Sequence, residues 1–291
     1  MKNYQYRDVN FRGTIERIMY TTTNFAGELR DKYANVYLPY GYDGEDCERR
    51  YNILYLMHGG GGNPDCWIDC CKIKNMLDYV ISVKEVEPLI VVFPTYYKEK
   101  IRRVGNPDAA LERNNVMFFQ KELVEELLPA VEKKYHTYAE DVTKEKLISS
   151  RMHRGFGGFS MGSCTTWFAF MQHMDYFSTY VPLSGDCWAV ECMGGGTNTK
   201  ETVDLLEKSV IESGYSPNQY FIYAGTGTED PANRALTPQI EEMKKRQNVF
   251  QFNKDFAKGN LHFILAEGAV HAYEAVYEYL YNYLPYLFKN E

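Results

Sequence analysis

The stretch Gly158-Phe159-Ser160-Met161-Gly162 decides how the rest of the sequence is interpreted. It has the pattern G-x-S-x-G and stands between an apolar run and a run of helix-forming residues. A serine in such a place sits on a sharp turn between a strand and a helix, with its hydroxyl exposed at the end of a sheet. The backbones around the turn approach each other closely, so the positions two before and two after the serine must lack a Cβ atom. Glycine meets that requirement at both positions, and the pattern predicts that Ser160 is a nucleophile.

The composition is that of an ordinary globular protein. The chain has 291 residues, of which 45% are hydrophobic and 24% charged, and we expect a single α/β domain over residues 1–291. The net charge of -7 argues against nucleic acid or an anionic membrane as a partner, since both attract basic surfaces. No segment has the uninterrupted apolar length that a bilayer requires. The 25 tyrosines, 16 phenylalanines and three tryptophans provide rings that stack well on sugars or phenols.

The cysteines do not form a metal-binding pattern. They stand at positions 47, 66, 70, 71, 164, 187 and 192, with neither a C-x2-C pair nor a zinc-finger spacing, so no metal site is expected. Their odd number and the adjacent pair at 70 and 71 favour a reducing compartment, the cytoplasm, with a Cys187–Cys192 bridge open as an alternative. Residues 1–16 contain no apolar core of a signal peptide, although a secreted protein whose leader had been removed would show the same sequence.

The distribution of apolar residues predicts alternating strands and helices. Strands are expected at 14–20, 33–38, 51–57, 89–93, 153–159, 179–183, 220–224 and 261–266. Helices are expected at 70–83, 115–135, 162–173, 201–213, 237–248 and 272–288. The alternation predicts a doubly wound, mostly parallel sheet with its ligand site at the carboxyl ends of the strands.

Four segments have a special place in this scheme. Residues 14–20 and 33–38 alternate apolar and polar positions, and we expect them to be antiparallel edge strands. The polar loop 96–114 is long enough to suggest a functional role. Residues 187–200, with three successive glycines, are expected to form an irregular loop at the same end of the sheet as Ser160.

A serine hydroxyl becomes a nucleophile when an imidazole takes its proton and a carboxylate orients that imidazole. His271 is the preferred base because it lies between the last strand and the last helix. His262 falls inside a predicted strand and His173 inside the helix after Ser160, where a structural role is more common.

Three carboxylates follow predicted strands and are candidates for the acid. Glu229 and Asp230 come after strand 220–224, one strand-helix unit before His271, and the residues alone leave both open. Asp186, after strand 179–183, is the reserve candidate. Clusters of Gly, Thr and Asp are also common in ordinary turns.

A glycine run predicts the site that stabilises the oxyanion formed during attack on a carbonyl. Two backbone N–H groups are needed for this purpose. One is expected from Met161, directly after the nucleophile, and the other from residues 58–62, His-Gly-Gly-Gly-Gly, with Gly60 as the first choice and Gly61 as the second. No Lys-Ser/Thr pair follows these glycines, which excludes a phosphate-binding loop.

On these motifs the chain resembles the carbohydrate esterase family 1 group of α/β-hydrolases. The resemblance runs through nearly the whole chain and rests on NILYLMHGGGG at 52–62, GGFSMG at 157–162, SGDCW at 184–188, GTGTED at 225–230 and GAVHAYEAVYEYLYNYLPYLF at 268–288. It implies an α/β-hydrolase fold with a mostly parallel sheet, antiparallel N-terminal strands, and neither a metal nor an organic cofactor.

The resemblance also implies roles for individual residues. It assigns Ser160, Asp230 and His271 to a catalytic triad, and it is this resemblance that selects Asp230 over Glu229. Met161 and Gly60 correspond to the oxyanion donors. Trp188, which follows the SGD turn, is a candidate to stack on a phenolic ring or a sugar, with capping of the hydrophobic core as the alternative, and Gly61 is placed with it at the substrate. One departure is Val270, where many members of the family have glycine before the histidine.

Within the family, GGFSMG and SGDCW are most similar to the feruloyl esterases. The implied activity is hydrolysis of hydroxycinnamoyl esters of plant cell-wall polysaccharide, with a small-molecule or oligosaccharide ester as the binding partner. The alternatives are an acetylxylan esterase, a thioesterase similar to S-formylglutathione hydrolases, or a hydrolase fold that binds carbohydrate without catalysis.

Overall fold

The apolar runs of the sequence form one central sheet. The computed structural model describes residues 1–24, 26–46, 48–96 and 109–288. The strands in these ranges are β1 Thr14–Thr23, β2 Leu29–Leu38, β3 Asn52–Met57, β4 Leu89–Phe93, β5 Arg154–Phe159, β6 Thr179–Leu183, β7 Phe221–Gly227 and β8 Leu261–Ala266.

The sheet confirms the predicted fold class. Its order is β1-β2-β4-β3-β5-β6-β7-β8. β2 is antiparallel to both β1 and β4, and the remaining neighbours are parallel. The expectation that both N-terminal strands lie at an edge is wrong for β2, because it pairs on both sides. Only β1 of the two is an edge strand.

Helices cover both faces of the sheet. They are α1 Cys66–Asp69, α2 Ile73–Ser82, α3 Ala109–Glu122, α4 Leu128–Lys134, α5 Lys144–Ser149, α6 Met161–Gln172, α7 Gly194–Thr197, α8 Thr199–Ser213, α9 Asn233–Met243 and α10 Tyr273–Tyr283. Among the described residues no helix has both the length and the apolar character needed to cross a membrane.

Successive side chains of the central strands enter two apolar layers, as the pleat of a strand requires. Tyr55 and Met57 of β3 join the layer formed with α3, α4, α6, α8 and α9. Leu54 and Leu56 join the opposite layer, formed with α1, α2 and α10. Burial on both faces explains why β3 is a continuous apolar run in the sequence.

The helix predicted at 115–135 is longer and is interrupted. It begins at Ala109, and a π-helical turn, Leu123–Leu127, separates α3 from α4. Pro129 explains the wider turn, because proline has no N–H to donate to the carbonyl four residues earlier and its ring would clash there. The predicted loop 96–114 therefore ends earlier than expected, and residues 97–108 lie outside the described residues.

Two further boundaries differ from the predictions. The segment 187–200 is not wholly irregular, since it contains α7 and the first residues of α8. The glycines permit this, because a Cβ on Gly195 would lie 2.8 Å from the Ala235 carbonyl oxygen. α9 runs from Asn233 to Met243 rather than from 237 to 248. In the turn before it, the Asp230 carboxylate accepts the Ala232 N–H at 2.8 Å.

The turn between β5 and α6 is packed directly against the end of β3. A Cβ on Gly158 would lie 2.7 Å from the Met57 carbonyl oxygen. A Cβ on Gly162 would lie 2.5 Å from the same oxygen and 2.8 Å from that of His58. All three distances are shorter than a van der Waals contact, so glycine is a steric requirement at these two positions.

We expect Gly162→Ala to lower the free energy of unfolding by roughly 3 kcal/mol, because α6 must move away from β3 to make room for a methyl group. Urea denaturation of the purified variant measures this change. Gly44→Ala is the matched control, because a Cβ there meets no atom within 4 Å. Equal stability of the two variants would contradict the close packing.

Candidate active site

Ser160 occupies a strained turn that holds its side chain at the end of the sheet. Its backbone has φ 57° and ψ -117°, a conformation that costs a non-glycine residue about 1–3 kcal/mol. The Ser160 N–H donates to the Leu183 carbonyl at 2.9 Å, which ties the turn to the neighbouring strand β6. α6 begins at the next residue, so the serine oxygen lies beside the N-terminus of a helix.

Ser160, His271 and Asp230 are brought together from three loops. The Ser160 Oγ lies 2.9 Å from Nε2 of His271, and Nδ1 of His271 lies 2.8 Å from Oδ1 of Asp230. A carboxylate only accepts, so Nδ1 of the neutral imidazole carries the proton and Nε2 accepts from the serine hydroxyl. The imidazole is also packed against the Phe159 ring at 4.6 Å between centroids.

Asp230 is buried but remains an ionised acceptor. Its side chain is 0% exposed, whereas that of His271 is 34% exposed. Burial raises the pKa of Asp230, but hydrogen bonds from His271 and the Ala232 N–H outweigh burial and hold the pKa below its ordinary value. A carboxylate with this environment stabilises an adjacent imidazolium.

The other candidate histidines are held elsewhere. His262 is buried in β8, where Nδ1 donates to the Asn253 carbonyl at 3.0 Å and the ring stacks on Tyr223 at 4.8 Å. Burial lowers the pKa of His262 and lowers that of His173 to about 4. These environments are typical of structural histidines.

The other candidate acids also lie outside the hydrogen-bonded chain. Glu229 is exposed, next to the buried Asp230. Asp186 is buried, and its oxygens accept the Trp188 Nε1–H at 3.1 Å and the Gly195 N–H at 2.9 Å. Burial raises the pKa of Asp186 to about 6. Its partners identify it as the residue that organises the loop after β6.

The glycine run after β3 forms a tight turn next to the start of α6. The Gly62 N–H donates to the Gly59 carbonyl at 3.1 Å, and Gly61 has a φ of 70°. A Cβ on Gly60 would lie 3.9 Å from that of Met161, so the two expected oxyanion donors are neighbours. The Met161 N–H belongs to the first turn of a helix, where backbone donors have no intrahelical acceptor.

His58 fixes the entry to this turn. Its Nδ1 donates to the Gly59 carbonyl and its Nε2 accepts from the Thr95 hydroxyl, both at 2.7 Å. In the sequence, His58 stands out only as the residue that precedes the glycine run. Its place at the carboxyl end of a buried strand is the signal that would have identified it.

Trp188 is half-buried in the loop after β6, which begins against the turn at Ser160. A Cβ on Gly185 would lie 2.5 Å from the Ser160 carbonyl oxygen, which shows how closely this loop approaches. Arg113 of α3 donates to the Trp188 carbonyl at 2.7 Å and to the Ala189 carbonyl at 2.6 Å.

Two residues at the start of α3 belong to the site and were not singled out from the sequence. Arg113 anchors the Trp188 loop, and the carboxylate of Glu112 lies 3.6 Å from the place of a Cβ on Gly60. Both fall at the end of the polar segment 96–114, whose length was the available signal.

Metal binding has no evident place here. Over the described ranges, no group of three or more His, Cys, Asp or Glu side chains is arranged to hold a metal ion. The cysteines with described side chains are free thiols, so the Cys187–Cys192 bridge is not formed.

Comparison with known proteins identifies the family. A family model described as putative esterase matches residues 29–284. The chain belongs to this esterase family. Over 277 residues it is 41% identical to endo-1,4-beta-xylanase Y of Acetivibrio thermocellus, covering 95% of this chain and 23% of that protein. It is 29% identical over 219 residues to the endo-1,4-beta-xylanase/feruloyl esterase of Xylanibacter ruminicola, covering 71% of this chain and 28% of that protein.

A solved structure from the same family is similar over the full length of the chain. It is a serine-to-alanine mutant of the feruloyl esterase module from Clostridium thermocellum in complex with sinapinate. The identity is 38% and the TM-score 0.80, with 100% of this chain and 96% of that chain covered. The predicted resemblance and α/β-hydrolase fold are thus confirmed, and the chain is a carboxylic ester hydrolase by family. It spans about a quarter of the length of the curated relatives it matches.

Asp186 leads to a prediction on pH and stability. Its pKa is about 6 in the folded protein against an ordinary 3.8, so the folded state binds more protons between these values. The free energy of unfolding therefore gains a contribution as the pH falls from 7 towards 4, and loses it as the pH rises through about 6. A change in pKa from 3.8 to about 6 contributes at most ~3 kcal/mol to the free energy of unfolding.

Asp186→Asn removes this titration. We expect its stability relative to the original protein to fall by ~2 kcal/mol between pH 7.5 and pH 4.5, in urea denaturation at both pH values. Asp43→Asn, at an exposed position, is the control and should show a constant difference. If the stability difference between Asp186→Asn and the original protein does not change with pH, the raised pKa of the buried Asp186 carboxyl is contradicted.

Proposed function

We propose that this chain is a feruloyl esterase that hydrolyses hydroxycinnamoyl esters of plant cell-wall polysaccharide through an acyl-enzyme. The observation that carries the proposal is the continuous hydrogen-bonded chain from Ser160 Oγ through His271 to Asp230. The substrate class is supported by the relatives, two of which are named as feruloyl esterases or modules of that activity.

In the proposed mechanism, Ser160 Oγ attacks the ester carbonyl while its proton passes to Nε2 of His271. Asp230 stabilises the resulting imidazolium and keeps Nδ1 protonated. The N–H groups of Met161 and Gly60 donate to the oxyanion, and the helix N-terminus at Met161 adds a favourable dipole. His271 then protonates the departing alcohol, and water attacks the acyl-enzyme with His271 again as the base.

The acyl group is proposed to lie between the glycine turn and the loop that carries Trp188. The half-buried indole offers a flat surface for a phenolic ring, and its position is fixed by Asp186 and Arg113. Gly61 lies on the exposed side of the turn, where the absence of a side chain leaves room for substrate.

The role of Ser160 is tested by removing its hydroxyl. We expect Ser160→Ala to reduce turnover of methyl ferulate at least ~10⁴-fold, because no other group supplies the nucleophile. Ser149→Ala, an exposed serine, should retain full activity, and both variants should keep the original melting temperature. An aryl phosphonate should label the original protein once, at Ser160. Turnover that survives in Ser160→Ala would refute the mechanism.

The substrate class is tested by comparing kcat/KM for methyl ferulate, p-nitrophenyl acetate and S-formylglutathione. We expect methyl ferulate to be preferred, and Trp188→Ala to raise its KM about tenfold through the loss of ring stacking. The acetyl group of p-nitrophenyl acetate has no ring to stack at the acyl position, so kcat/KM for this ester in the same variant should stay within about twofold and serves as the internal control. Preference for acetate or the thioester would favour the alternative activities, and no turnover of any ester would favour a binding protein.

A further inference from the structure

Tyr273 lies where the three segments of the proposed site meet. It is the first residue of α10, two residues after His271. Its ring packs edge-on against Phe159, which precedes Ser160, at 4.8 Å between centroids, and against Trp67 at 5.2 Å. Its hydroxyl oxygen accepts the Gly59 N–H at 3.2 Å. One side chain thus contacts the nucleophile segment, the base segment and the glycine turn.

Cys66 holds the other end of the glycine turn. Its sulfur accepts the Asn63 N–H at 3.2 Å. A Cβ on Gly62 would lie 2.9 Å from this sulfur, so the turn rests directly on it. The same thiol lies beside the Tyr273 hydroxyl, whose pKa is raised by burial and further by Cys66, so the hydroxyl keeps its proton.

The turn between these two attachments needs external support. Glycine loses more conformational freedom on ordering than any other residue, and residues 59–62 are all glycine. Within the turn, the Gly62–Gly59 hydrogen bond at 3.1 Å closes the backbone but does not fix its orientation towards Ser160. A donor lowers the barrier only if it is already aimed at the oxyanion before reaction.

We propose that Tyr273 and Cys66 are positioning residues that hold the turn Gly59–Gly62 so that the Gly60 N–H faces the oxyanion. This inference rests on the proposed function. Neither side chain touches the reacting atoms, and both act through the backbone at Gly59 and Asn63. Because Tyr273 follows His271 in the chain and packs on Phe159, the turn is aligned with the base and the nucleophile by the same residue.

Tyr273→Phe tests the proposal by removing one hydroxyl. We expect kcat for methyl ferulate to fall about tenfold while KM stays within about twofold. The reason is that a displaced Gly60 N–H stabilises the oxyanion less well, and the oxyanion forms only in the transition state. Affinity for an arylboronic acid that forms a tetrahedral adduct with Ser160 should fall by the same factor, and affinity for free ferulate should not change. Tyr277→Phe is the matched control, since its hydroxyl lies one turn further along α10 and donates to the Tyr4 carbonyl at 3.3 Å.

Cys66 is tested in the same assays by two substitutions. Cys66→Ala should lower kcat several-fold, and Cys66→Ser, which restores an acceptor for the Asn63 N–H, should recover most of it. Cys71→Ala is the control, because that thiol donates to the Trp67 carbonyl instead. The double variant Tyr273→Phe/Cys66→Ala should lose less kcat than the product of the two separate losses, since both residues act on one turn.

The two proposals fail in different ways. If the original protein hydrolyses none of the esters, or if Ser160→Ala retains turnover, the proposed function is wrong. If the original protein is active but Tyr273→Phe keeps kcat and boronate affinity within twofold, the positioning role is wrong. Equal losses of affinity for the boronate and for ferulate would also overturn the positioning role, because they indicate general damage to the site. A kcat that does not recover in Cys66→Ser would overturn it for the same reason.

Discussion

The close approach of two backbones, at the end of β3 and at the start of α6, is the constraint on which the site depends. Gly158 and Gly162 allow the turn at Ser160 to press against the carbonyl oxygens of Met57 and His58. This contact holds the serine in its strained conformation, whose cost the surrounding packing must offset. Because the glycine turn begins directly after β3, the same contact also brings that turn beside Met161. Ser160, the proposed nucleophile, and both proposed oxyanion donors are therefore located by one piece of packing.

Two buried carboxylates at neighbouring strand ends illustrate how the surroundings assign roles. Asp186 follows β6 and Asp230 follows β7, and the residue pattern makes both of them candidates for the acid, with Asp186 in reserve. Burial raises the pKa of both, but the hydrogen bonds that Asp230 receives from His271 and from the Ala232 N–H reverse its shift. Asp186 accepts from Trp188 and Gly195 and its pKa stays raised. One carboxylate is thus suited to support a charged imidazole, whereas the other is suited to organise a loop.

Much of the fold follows from local patterns, and the exceptions have identifiable causes. Continuous apolar runs predicted β3, β4 and β6 well, because strands covered on both faces have no polar positions. The π-helical turn before α4 depends on how a helix accommodates Pro129, which periodicity does not register. Arg154 opens the buried strand β5 as an ion-pair partner of the buried Glu132, although neither charge suggests burial by itself. Such pairs are fixed by tertiary contacts between distant segments.

The same distinction applies to the site. Ser160, Asp230 and His271 stand at strand ends next to recognisable motifs, so sequence could nominate them together with the glycine turn. Residues that shape the surroundings carry no motif. Glu112 and Arg113 reach the site only because α3 starts earlier than its apolar stripe, and Tyr273 is marked in sequence only by its distance of two residues from His271.

This division bears on how substrate preference can vary while the chemistry stays constant. The proposed reacting groups are attached to ends of parallel strands, where the sheet and the glycine contacts leave little freedom. Trp188 and Glu112 are attached to loop and helix ends that are joined through Arg113 by backbone hydrogen bonds. A change in α3 or in the loop after β6 would therefore alter the surroundings of Ser160 and His271 without changing the elements that hold these two residues. Differences in acyl-group preference among esterases of this family are expected to arise from these two segments rather than from the proposed reacting groups.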